Sequence, residues 1–127
     1  MLVPVAPSET LSRFILQTNW FRPSDNTVRH AAFMPNPTNG QTSVFRIYDL
    51  SDKEVWDIGD REVASRIGKS VLGRADIGAS NVMEKGLRAF PSEPPVRHAN
   101  IVGWPEEKSE QRLISLELAA EALFHKK

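Results

Sequence analysis

Cysteine is absent from the chain, which excludes disulfides and thiolate metal sites and suits a reducing cytoplasm. Long apolar runs are missing too. The opening Met-Leu-Val-Pro-Val-Ala-Pro is too short for a membrane span and lacks the positive start of a signal peptide, so a soluble cytoplasmic protein is expected. The seven glycines are scattered, and Gly73 and Gly78 flank a predicted strand without the spacing of a phosphate-cradling loop. Of the three histidines, only His30 and His98 are internal. They lack the i, i+4 spacing of a zinc motif, so the residues call for no metal and no cofactor. Net charge is also zero, with 16 basic and 16 acidic residues.

What is present fits one globular domain: 127 residues with 40% hydrophobic content can bury a core without staples. The charge is unevenly spread along the chain. Residues 49–60 carry five acids against one base, whereas residues 61–104 carry seven bases against four acids. Ten of the 16 bases are Arg, whose planar fork suits bidentate contacts to phosphate or carboxylate. Such a split can make a basic face on a neutral protein or fold into a mixed surface.

Residues 1–10 read as an arm on the surface and residues 11–127 as the domain. Strands are predicted over residues 11–18, 28–34, 42–48 and 71–77, with the second and third forming a hairpin across the wide turn 35–41. The 19–27 loop contains Trp20 and Phe21, which need burial. Ser51, Glu54 and the flanking Leu50 and Val55 spell a capping box with its hydrophobic staple, the sharpest local signal in the sequence. Gly59-Asp60 is expected to interrupt that helix, with a second short helix to residue 67. A helix over 79–85 should end at Gly86 in the left-handed position. Residues 87–90 suggest a brief strand. From Pro105 the chain reads as helix to its end, with Leu113, Leu116, Ala120, Leu123 and Phe124 as the apolar stripe and His125-Lys126-Lys127 suiting the dipole. The order argues an α+β fold, a mostly antiparallel sheet of about five strands covered by a long C-terminal helix and shorter helices.

The stretch 94–105, Pro-Pro-Val-Arg-His-Ala-Asn-Ile-Val-Gly-Trp-Pro, places His98 and Asn100 on one side of a strand and Arg97 on the other. It also echoes an earlier segment. Residues 23–31 and 91–99 share six identities, including an Arg-His pair in each, so two strands reached through like loops could bring Arg29-His30 and Arg97-His98 together. The competing explanation is coincidence, because nothing flanking extends the match. If the imidazoles converge, one could take a hydroxyl proton and the other protonate a leaving oxygen. Arg29, Arg74 or Arg97 would then hold the phosphate, giving metal-independent phosphodiester cleavage. Otherwise His98 and Asn100 orient the 91–95 connector, and Arg74 and Asp76, on one side of their strand, form an ion pair.

Arg22-Pro23-Ser24, Ala32-Phe33, Ser43-Val44, Gly73-Arg74-Ala75-Asp76 and Pro95 with His98-Ala99-Asn100-Ile101-Val102-Gly103-Trp104 together resemble a set of uncharacterised small bacterial proteins, over about residues 12–123. The resemblance implies a stand-alone bacterial domain and brings no activity. Its looser members keep the second histidine and often carry serine at the position of His30, which favours His98. The expected function is binding of a phosphate-bearing ligand, a nucleotide or RNA, at a site containing His98 and His30 as candidate catalytic groups and Arg29, Arg74, Asp76, Arg97 and Asn100 as ligand contacts. The alternative is a non-catalytic subunit that binds a protein partner, in a multi-gene bacterial defence or toxin-antitoxin system, with the loop aromatics as anchors.

Overall fold

The structure is a computed structural model describing residues 2–127, so Met1 of the expected arm lies outside the described residues. Strand β1 (Thr10–Ile15) places Leu11, Arg13 and Ile15 on one side and Ser12 and Phe14 on the other, as the two-residue period of a strand requires. Beyond a helical turn at Thr18–Trp20, β2 (Phe21–Arg22) and β3 (Thr27–Val28) pair only with each other in a small ribbon. β4 (Thr42–Arg46), β5 (Gly73–Gly78), β6 (Arg88–Pro91), β7 (His98–Val102) and β8 (Leu123–Lys126) join β1 in one sheet. Its order is β6-β7-β4-β1-β5-β8 and every pairing is antiparallel. The fold is α+β in a single domain, with six strands in the sheet where about five were expected.

Each face of the sheet is covered by different helices. On the first face Leu11, Ile15, Val44, Ala75, Ile77 and Ile101 form one cluster with Ala79 and Val82 of α3 (Ala79–Glu84) and with Leu118 and Ala119 of α4 (Lys108–Glu121). On the second face Phe14, Phe45 and Ile47 pack against Val55 and Ile58 of α1 (Asp52–Ile58). Burying a side chain of this size is worth about 1.5–3 kcal/mol, so the two clusters hold the layers together. No helix among the described residues is long and apolar enough to cross a membrane.

The capping box forms as the sequence predicts: Glu54 N donates to Ser51 Oγ at 3.2 Å and Ser51 N donates to Glu54 Oε1 at 3.1 Å. Gly59 does not stop the helix. The chain continues through wide π-type turns over Gly59–Ala64 into α2 (Ser65–Ile67). Glycine is needed there because a Cβ would stand 2.7 Å from the Phe14 ring, so its role is close approach to the sheet rather than termination. Gly86, at φ 80°, ends α3 as expected.

Three predicted elements differ. The strand expected over 28–34 ends at Val28, and His30–Ala32 coil into a single 3-10 turn that tucks Ala32 and Phe33 into the first-face core. Consequently β3 and β4 do not form a hairpin. The last helix stops at Glu121, and residues 123–126 instead become β8 along the outer edge of β5. There Phe124 stacks on Phe21 with centroids 5.0 Å apart. The helical stripe is rotated as well. Ser115, Leu118 and Ala119 face inward, Leu113, Leu116 and Ala120 lie outside, and the small inward residues let α4 sit close to the 3-10 turn.

The arm also packs down. Val5 enters the core, and Glu9, 6% exposed, receives Arg46 Nε at 2.8 Å and Nη2 at 2.7 Å. The seating of β8 can be tested at Gly73, where an added Cβ would meet the Phe124 ring at 2.7 Å and the His125 carbonyl at 2.8 Å. Gly73→Ala is expected to lower stability by about 1–3 kcal/mol, read as a lower urea midpoint with an unchanged m-value. A neutral substitution would mean that residues 123–126 do not pair with β5.

Candidate anion-binding groove

Arg74 and Asp76, both proposed from sequence as ligand contacts, lie on the second face beneath α1. Arg74 is only 3% exposed; its Nη2 donates to Asp52 at 2.7 Å, its Nε to Asp76 at 3.2 Å, and its guanidinium lies 4.7 Å from the Trp56 ring centroid. This is the intrasheet ion pair, extended by a third member. His125 Nε2 comes within 3.3 Å of the same Asp76 carboxylate. Arg74 Nη1, Asp76 Oδ1 and Ser12 Oγ are buried without a protein partner.

Ser12, Asp76 and His125 are the residue types of a hydrolytic triad, yet their order is wrong. Ser12 stands opposite Asp76, and His125 stands opposite Arg74 on the next strand. The hydroxyl therefore neighbours the carboxylate and not the imidazole that would have to take its proton.

His98 shares that face but stands three strand spacings from Arg74, roughly 14 Å, with Phe45 and Phe14 between them. Both of its ring nitrogens are engaged. Ser92 offers a carbonyl oxygen 2.8 Å from Nδ1, so that nitrogen carries the hydrogen, while Nε2 meets Ser43 Oγ at 2.5 Å. The ring also sits edge-on to Phe45 at 5.3 Å. His98 thus ties the end of β6 to β4, the connector-orienting role weighed from the sequence. Arg97 is held in the left-handed region at φ 72°, costly for a bulky side chain. Its Nη1 and Nη2 clasp Asp49 at 2.7 and 3.1 Å. Those bonds hold the Asp49 carboxyl below its ordinary value, and Arg46 does the same to Glu9.

Arg29 and His30 are elsewhere. Their turn packs through Ala32 and Phe33 onto the first face, with Thr42 Oγ1 donating to the Phe33 carbonyl at 2.8 Å. The two imidazoles therefore lie on opposite sides of the sheet. The expected convergence of the two Arg-His pairs is overturned, and two-histidine chemistry at a shared site goes with it. The echoed segments also differ in local form, because one is a ribbon leading into a 3-10 turn and the other a sheet strand reached through Pro94-Pro95. The likeness in sequence does not carry over to local structure.

Around His30 the structure assembles something the sequence did not lay out. The β2–β3 ribbon, the 3-10 turn and α4 enclose a groove of about 620 Å³ that contains Arg22, Arg29, His30 and Arg112 in its wall and no carboxylate. Its floor includes Val28, Leu116 and Ala120, so the leucine and alanine displaced from the predicted stripe have a place here. Arg22 has a loose partner in Asp25 at 3.5 Å, with both side chains about half exposed; Arg29 and Arg112 have none among the described residues. Unpaired guanidiniums over an apolar floor attract anions, and the groove's volume suits a small ligand. The cavity between Leu2, Met83 and Phe90 holds a single cation, Arg88, and is far less suited to one.

Sequence reasoning found Arg29 and His30 but missed Arg22, Arg112 and Arg13, the last of which lines an adjoining cavity together with the predicted Asn100. Arg13 did leave a signal, since it shares strand parity with Leu11 and Ile15 and so occupies an inward position among apolar neighbours. Arg112 left none, because it reads as an ordinary solvent-facing helix residue. No protein-family model matches the chain, and neither a curated protein nor a solved structure is significantly similar to it.

The role of His98 has a direct test. His98→Ala removes both ring contacts and leaves Ser43 Oγ and the Ser92 carbonyl without their partner, so a loss of about 1–3 kcal/mol in unfolding free energy is expected, with anion binding at the groove unchanged. Unchanged stability with abolished binding would return His98 to the ligand site.

Proposed function

We propose that the protein binds a phosphate-bearing ligand, a nucleotide free or within an RNA strand, in the groove between the β2–β3 ribbon, the 3-10 turn and α4. The observation that carries this reading is a wall of three guanidiniums and an imidazole with no carboxylate among its lining residues. Elsewhere in this neutral chain arginines are paired with carboxylates, Arg46 with Glu9, Arg74 with Asp52 and Asp76, and Arg97 with Asp49. Phosphate would be held by Arg29 and Arg112 from opposite walls, while the apolar floor accepts the sugar edge. Arg suits this work because its fork donates two parallel hydrogen bonds to phosphate oxygens.

A second reading, a non-catalytic protein-binding subunit, draws on a different surface. Tyr48, Phe90 and Val96 are 58%, 51% and 68% exposed and border cavities that share Leu2. The loop aromatics are not its anchors, since Phe21 is buried and Trp20 lies under Arg13.

Binding of a fluorescent nucleotide and of a labelled RNA oligonucleotide at low salt distinguishes these readings. The double variant Arg29→Glu, Arg112→Glu is expected to weaken binding at least about tenfold, roughly 1.4 kcal/mol, and to flatten its salt dependence. Arg97→Glu should leave the affinity unchanged. If neither ligand binds to the unaltered protein, the protein-binding reading takes precedence.

A further inference from the structure

Across Ala31 from the groove opens a second cavity, of about 370 Å³, with Arg13 in its inner wall. Arg13 Nε donates to the Ala32 carbonyl at 2.8 Å and Nη1 to the Ser43 carbonyl at 3.1 Å, and the guanidinium lies 4.7 Å from the Trp20 ring centroid. It has no carboxylate partner among the described residues, and Nη2 makes no protein hydrogen bond. Burial pushes its pKa down to about 10. A half-buried cation answered by two carbonyl oxygens and an aromatic ring, with no carboxylate, is costly to keep, and its free edge faces a cavity instead of being covered.

The amides around it sharpen the chemistry. Asn36 and Asn39 use their Oδ1 atoms to accept from Thr38 N at 2.8 Å and Gln41 N at 3.0 Å, which leaves both Nδ2 groups as donors. Among the described residues, the side chains of Gln41 and Asn100 make no protein hydrogen bond. Beside the cation the cavity therefore presents the Nδ2 donors of Asn36 and Asn39, with the amides of Gln41 and Asn100 able to turn either end to a ligand.

We infer that this cavity receives the base of the nucleotide whose phosphate occupies the groove, and that it selects an oxo-purine, guanine or hypoxanthine, over adenine. The inference rests on the phosphate-binding reading above. An oxo-purine offers two adjacent acceptors, O6 and N7, to the free Nη2 of Arg13 and the neighbouring Nδ2 donors, whereas adenine puts its N6 donor where O6 would be. A donor confronting a donor leaves both unpaired in a partly desolvated site, and sites built to bond a substrate group discriminate strongly against analogues that cannot complete the bond.

The test is calorimetric titration of the full chain with guanosine 5′-monophosphate, adenosine 5′-monophosphate, guanosine, adenosine and inorganic phosphate. It is repeated on Gln41→Ala, Asn100→Ala and on Arg13→Lys, with circular dichroism to verify folding. The guanine nucleotide should bind at least about tenfold more tightly than the adenine nucleotide, and guanosine should beat adenosine. The amide double variant should narrow that preference while keeping phosphate binding, and Arg13→Lys should abolish it. Should Arg13→Lys fail to fold, the amide variant carries the test. Equal binding of both nucleotides, displaced by inorganic phosphate, would overturn base selection and leave the groove reading intact. No binding by any phosphate-bearing compound would overturn both.

Discussion

Arg74 is clasped between Asp52 from the helix above and Asp76 from its own strand, and the same kind of engagement recurs around the sheet. Glu9 takes Arg46 and Asp49 takes Arg97. Each pairing ties a separate piece of chain to the sheet: the helix over the second face, the N-terminal arm, and the turn before α1. Because half-buried guanidiniums need such partners, these sites draw down the carboxylates nearest to them. A chain with equal numbers of acids and bases can still leave positive charge uncompensated where no acid was supplied, and that place is at Arg29 and Arg112, with the loosely paired Arg22 beside them and Arg13 behind.

The two-sidedness of the antiparallel sheet then decides which polar groups can cooperate. Ser43, His98 and Asn100 follow one another across the second face, as do Ser12, Arg74 and Asp76, but aromatic rings stand between the two sets. His30 belongs to the opposite layer. The layering divides a sequence that offered one convergent centre into distinct polar regions, with Ser43 and Asn100 also bordering the cavity beside Arg13. The His98 tether is satisfied from within, and the Arg74 cluster is sealed beneath α1 with Ser12 Oγ, Arg74 Nη1 and Asp76 Oδ1 unpartnered. The third, in the layer of His30, has open donors beside accessible space.

Local signals were read well where they depend on neighbouring residues alone. The Ser51-Glu54 cap, the end of α3 at Gly86, and the same-side placement of Arg74 and Asp76 are all decided within a few positions. What failed needed information from across the molecule. Leu123 and Phe124 continue a helical spacing in sequence, yet β5 has an unpaired outer edge that residues 123–126 fill, and Phe124 finds Phe21 there. Gly59 looks like a breaker until the Phe14 ring is seen against it. The site was legible only in part: Arg29 and His30 stand in the groove and Asn100 in its annex, whereas Arg112 comes to them from a helix about eighty residues away, a distance that periodicity does not bridge.

The claim on which the functional account depends is that the guanidiniums of the groove, and not Arg97 and His98, meet the ligand. Amide chemical-shift mapping of the isotopically labelled chain during titration with guanosine 5′-monophosphate tests it residue by residue. The account predicts perturbations concentrated at Arg29, His30, Ala31 and Arg112, extending to Gln41 and Asn100, with Arg74 and Arg97 quiet. Perturbations centred on Arg97 and His98, with the turn at His30–Ala32 unmoved, would contradict it.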